Sequence, residues 1–86
     1  MDITDKVAKI SQLLLQSGFV LDEEGPSYKS QKPVMITINN IRFRFVTSVY
    51  MGDDVMTING CADVFYMDIV HFNTGGISRI GGNPLF

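Results

Sequence analysis

The chain has 86 residues, a length that predicts one domain spanning residues 1–86 and excludes a second. Hydrophobic residues make up 45% of the sequence, with six Phe and three Tyr, so a packed core is expected and a disordered chain is not. The formal net charge of −2 disfavours nucleic-acid binding through overall positive charge. Nucleic-acid binding through a local basic patch stays possible.

Cysteine usage and the N-terminal segment indicate the compartment. Cys61 is the only cysteine, so an intramolecular disulfide is excluded, as is typical of small domains in a reducing environment. The apolar run Leu13-Leu14-Leu15 is far too short for a signal or membrane segment. We therefore expect a cytoplasmic protein without a membrane partner.

The first predicted element is an amphipathic helix over residues 2–17. Its apolar positions recur at the spacing of one helix face: Ile3, Val7, Ile10, Leu13 and Leu14. Asp2 is the predicted N-cap, and Gly18 stands where a C′ glycine would close the helix.

Short β-type segments joined by turns follow the helix. Phe19 to Leu21 could begin an edge strand, and clear alternation runs over residues 34–38 and 41–50, joined by Asn39-Asn40 as a two-residue hairpin turn. Further strands are predicted from Val55, over residues 62–72 and over 77–80. We therefore predict an α+β fold. Its helix would pack on a four- to five-stranded, mainly antiparallel meander sheet over about residues 34–80, followed by a loose tail at 81–86.

The side chains of the predicted sheet divide unequally between its two faces. Those expected under the helix are Val34, Ile36, Ile38, Ile41, Phe43, Phe45 and Val49. The segment 62–72 is apolar on both faces, with Phe65, Met67 and Ile69 on one and Val64, Tyr66, Val70 and Phe72 on the other. One helix cannot cover both faces, so the second should be covered by the C-terminal tail or by another molecule.

A protein-binding surface is predicted on this second face. Its candidate residues are Arg42, Arg44, Tyr50, Tyr66 and Phe72. Arginine and aromatic residues are enriched at interfaces and at their energetic hot spots. Two alternatives stay open: the C-terminal segment, with Ile77, Ile80, Leu85 and Phe86, folds back over the face, or two copies of the chain associate through the face or through an exposed strand edge.

Other chemistries have weaker support. Arg42 and Arg44 with exposed tyrosines could bind nucleic acid, although Phe43 and Phe45 point to the opposite face and cannot join them in one stacking platform. A thiol enzyme or toxin would need a base such as His71 beside Cys61, and no flanking signature supports one. The aspartates lack metal-ligand spacing, and the paired glycines lack a phosphate-loop context, so we expect neither metal nor cofactor.

Taken together, these patterns predict a small non-enzymatic protein that works by protein–protein contact. An inhibitor, an adaptor or a regulator of a larger complex fits this description, including the regulators of phages and of toxin–antitoxin systems. The nucleic-acid module and the small enzyme are the competing classes.

Overall fold

In the computed structural model, which describes residues 3–23, 25–61 and 63–82, one helix packs on one antiparallel sheet. The helix α1 spans Ile3–Gln16. Within the described residues the strands are β1 (Val20–Leu21), β2 (Ser27–Ile38), β3 (Ile41–Met51), β4 (Val55–Cys61), β5 (Phe65–His71) and β6 (Ile77–Gly81). Their order in the sheet is their order in the chain, and all neighbours are antiparallel.

The predicted α+β meander is confirmed, with six strands instead of four or five. The sheet is larger than expected because β2 begins at Ser27, ahead of Pro33, and pairs with the short strand β1. The predicted N-cap Asp2 and most of the predicted tail lie outside the described residues. Among the described residues, no helix is long and apolar enough to cross a membrane.

The C-terminal end of α1 shows why the helix stops where it does. Gly18 has a φ of +98°, the backbone N–H of Phe19 donates to Leu14 O at 3.0 Å, and that of Gly18 donates to Leu15 O at 3.3 Å. This pair of bonds is a Schellman motif, which needs a left-handed residue at Gly18. Leu14 and Phe19 are both buried, so the cap also anchors the helix to the core.

The core lies between α1 and one face of the sheet. Its buried apolar side chains come from the helix, from the segment that follows it, from β2 to β5 and from the residue after β5: Leu14, Phe19, Tyr28, Ile36, Ile38, Phe43, Val46, Val49, Met51, Met56, Ile58, Val70 and Phe72. Val7, Ile10 and Leu13 of the helix pack against this cluster. The opposite face of the sheet, which carries no helix among the described residues, is called the open face below.

One predicted core position is wrong. Phe45 is half-exposed and has a φ of +57°, and Val46 is fully buried in its place. The pairing register shifts at this point of β3 on both sides, toward β2 and toward β4. An irregularity of this kind adds a residue to the strand and reverses the inward and outward alternation beyond it.

Candidate functional site

The five predicted partner-binding residues do not share one face. Arg42, Arg44 and Tyr50 are exposed, whereas Tyr66 and Phe72 are only 4% and 5% exposed. The expectation that the last two lie on the second face is therefore wrong. The pairing of β5 with β4 places Tyr66 opposite Gly60 and Val70 opposite Met56, which is the helix-facing side of the sheet.

The open face carries the other half of β5. Phe65, Met67 and Ile69 alternate with the buried residues of this strand, and Ile80 of β6 pairs directly with Met67. Phe65 and Ile80 are 55% and 59% exposed. We call Phe65, Met67, Ile69 and Ile80 the apolar strip. Unlike Tyr66 and Phe72, these four side chains lie on the open face, at neighbouring positions of two paired strands.

Polar and cationic side chains occupy the neighbouring part of the open face. In its centre, the amide nitrogen of Asn59 donates to Ser48 Oγ at 3.1 Å, so these two groups satisfy each other. Arg42 and Arg44 of β3 lie beyond them and are exposed. Asp68 is the one carboxylate in the six described strands, and it lies on the other face. Lys29, which pairs with Ser48 on the open face, has the Asp22 carboxylate from the segment after β1 at 2.9 Å.

Asp68 forms the centre of a buried polar cluster on the helix-facing side. Its carboxylate is fully buried and accepts two hydrogen bonds from Arg79, from Nε at 2.6 Å and from Nη2 at 2.7 Å. The Arg79 guanidinium lies over the ring of Tyr66, 4.3 Å from its centroid. The Tyr66 hydroxyl in turn donates to the backbone oxygen of Arg44 at 2.6 Å. These contacts tie β3, β5 and β6 together.

From the sequence, Asp68 was a candidate only for a metal or acid–base group, and its ion pair with Arg79 was not predicted. A hairpin centred on the predicted turn at residues 73–76 would have placed Asp68 opposite Gly81. The observed register is two residues different and pairs Asp68 directly with Arg79. Opposite charges on directly paired strand positions attract each other, but the exact register was needed to find this pair.

The cluster shifts the pKa of two of its members. Burial, followed by the charge of Asp68, raises the pKa of Tyr66, while Arg79 opposes this shift. The hydrogen bonds to Asp68 raise the pKa of Arg79. Both shifts hold the protons in place: the tyrosine stays neutral and the arginine stays charged.

Tyr66→Phe should lower the free energy of unfolding by about 1 kcal/mol at neutral pH, because the Arg44 carbonyl loses its donor. In the native protein, stability should also fall as pH rises above about 10, since the unfolded tyrosine then releases a proton that the folded one retains. Tyr66→Phe should flatten this alkaline slope. Urea denaturation followed by circular dichroism across this range measures both effects. Tyr50→Phe, at an exposed hydroxyl, is the control, and an equal flattening in it would contradict the assignment.

The thiol and the imidazole do not form a catalytic pair. Cys61 pairs with Phe65 at one end of β5, and His71 lies six residues further along that strand, roughly 20 Å away. His71 Nε2 is 3.5 Å from Ser78 Oγ. No group of three or more His, Cys, Asp or Glu side chains that could hold a metal occurs in the part of the chain that the structure describes.

The open face therefore combines the apolar strip of β5 and β6 with two exposed arginines of β3, and the buried ion pair between Asp68 and Arg79 joins β5 to β6 on the other face. Comparisons with protein-family models, with characterised proteins and with solved structures give no match to this chain. The functional proposal therefore rests on the residues of this chain and their geometry.

Proposed function

We propose that the protein acts by binding another protein through the open face, as an inhibitor, adaptor or regulator. The observation that supports this is the apolar strip, whose Phe65 and Ile80 are more than half exposed although they belong to well-paired strands. Contiguous apolar surface of this kind marks interaction sites in soluble proteins. The composition also fits, because Phe, Tyr, Met and Arg are the residue types enriched at interfaces.

The charge on the face indicates the chemistry of the partner. Arg42 and Arg44 are exposed on β3, which β4 separates from the apolar strip, and the described strands place no carboxylate on this face to neutralise them. A surface with an apolar centre and a carboxylate flank is complementary to this pattern. We infer that the partner presents Asp or Glu toward the two arginines.

The same charge pattern disfavours self-association through this face. A two-fold dimer places one patch against its own copy. Here each copy would bring arginines to the interface and no strand carboxylate to receive them. Like charges brought together oppose binding, so a foreign, acidic partner fits the open face better than a second copy.

Capture from cells of the source organism tests the proposal. The native protein, carrying an affinity tag, should retain a stoichiometric protein partner, and Phe65→Asp/Ile80→Asp should retain at least tenfold less of it. The control is Leu15→Asp, which removes an apolar side chain of similar exposure, 53%, from the helix. Quantitative mass spectrometry of the three eluates gives the comparison.

Three outcomes would overturn the proposal. Equal loss of the partner from the Leu15→Asp control would place the contact elsewhere. Capture of a second copy of the chain in place of a foreign protein would show self-association. Recovery of nucleic acid in place of protein, with binding that weakens steeply as salt rises, would favour the competing role for Arg42 and Arg44.

A further inference from the structure

We propose that a cavity between α1 and the end of β5 binds a small organic anion with an apolar body, such as a medium-chain carboxylate. The cavity has a volume of about 290 Å³ and lies between the first turns of the helix and the segment that joins β5 to β6. It belongs to the helix-facing side of the sheet, so it is separate from the open face and independent of the proposed function.

The inner wall of the cavity is apolar. The wall is formed by Ile10 of the helix, Ile38 at the end of β2, Val70 of β5 and Phe72, which follows β5. The last three side chains are buried members of the core and still reach the cavity wall. An apolar wall favours contact with the hydrocarbon part of a ligand, because it offers no hydrogen-bond partners to a polar group.

The rim is cationic. Lys6 and Lys9 are three residues apart on the helix, a spacing that makes them neighbours on its surface. The Lys6 ammonium donates to the backbone oxygen of Phe72 at 3.4 Å, which holds it beside the cavity. No Asp or Glu lines the cavity in the described part of the chain, and the side-chain amide of Asn39 adds a neutral polar group. Two like charges this close repel each other, and an anion between them would relieve the repulsion.

Size and charge together select the ligand class. The volume of about 290 Å³ lies just below the roughly 300–1,000 Å³ typical of ligand pockets, which is small for a nucleotide or a dinucleotide cofactor. The apolar wall disfavours inorganic phosphate, which has no hydrocarbon part. A single carboxylate on a short aliphatic chain satisfies both the wall and the rim.

Titration with octanoate, followed through backbone amide resonances, tests the inference. Octanoate should produce saturable shifts at Lys6, Ile10 and Phe72, at concentrations below micelle formation. Octan-1-ol, which has the same chain without the charge, should bind at least fivefold more weakly, and octylamine should not bind at the cavity.

Two variants with the same change of net charge distinguish binding in the cavity from a general attraction of octanoate to a positively charged protein. Lys6→Gln/Lys9→Gln should weaken octanoate binding at least tenfold, whereas Arg42→Gln/Arg44→Gln, with the same change of charge on the open face, should leave it unchanged. Circular dichroism checks that both variants are folded. Absence of saturable shifts, equal binding of octanol, or an equal loss in the arginine variant would each overturn the inference. Such a failure would leave the capture experiment on the open face unaffected.

Discussion

Arg79→Met should lower the free energy of unfolding by about 3–5 kcal/mol, because it leaves the fully buried carboxylate of Asp68 without its partner. An unpaired charge in the interior keeps its desolvation cost and loses the attraction that offsets it. The loss is a large part of the about 4–13 kcal/mol expected for a domain of this length. Urea denaturation followed by circular dichroism measures it.

The double variant Asp68→Val/Arg79→Met tests whether the buried charge is the cause. Replacing both partners of a buried ion pair by apolar side chains is often neutral, and valine suits a strand position. The double variant should therefore recover most of the stability that Arg79→Met loses. The single variant Asp68→Val completes the comparison. If the stability losses of Asp68→Val and Arg79→Met simply add in the double variant, the two residues are not the coupled pair that the geometry indicates.

Gly60→Ala should lower the free energy of unfolding by about 3 kcal/mol, combining overpacking with loss of a hydrogen bond. A Cβ at position 60 would meet the ring of Tyr66, with the hydroxyl oxygen 2.5 Å away. The ring would have to leave its place across β4. It would then lose its contact with Arg79 and its bond to the Arg44 carbonyl.

Two controls separate this collision from a general effect of alanine. Gly25→Ala adds a Cβ with no atom within 4 Å, so its effect should stay within about 0.5 kcal/mol of zero. In a Tyr66→Ala background, where the ring is absent, Gly60→Ala should cost less than about 1 kcal/mol. A full loss in that background would show that the ring is not the obstacle.

Local patterns in the sequence were sufficient for the helix and for the meander. The helical spacing of Val7, Ile10 and Leu14 and the glycine at position 18 predicted where α1 packs and where it ends. The Asn39-Asn40 turn has both residues at positive φ, as the two-residue hairpin requires. These features depend on neighbours within a few residues, so they can be read from the chain alone.

The composition of the open face was less predictable, because it depends on register between strands. Alternation divides β5 into two sets but does not say which set faces the helix. In the structure the set that contains Tyr66 faces the helix, and the ring of Tyr66 occupies the space beside Gly60 of β4, which has no side chain. The irregularity at Phe45 similarly depends on pairing with both neighbouring strands. The surface consequently contains Phe65 and Ile80 in place of Tyr66 and Phe72.

Photocrosslinking inside cells of the source organism tests the central claim, protein binding through the open face, most directly. A photoreactive phenylalanine analogue is placed at Phe65, at Ile80 or, as control, at Leu15 on the helix. We predict one prominent adduct with the same foreign protein from Phe65 and Ile80, and none from Leu15. Adducts of equal yield from all three positions, or none from the two open-face positions, would contradict the account.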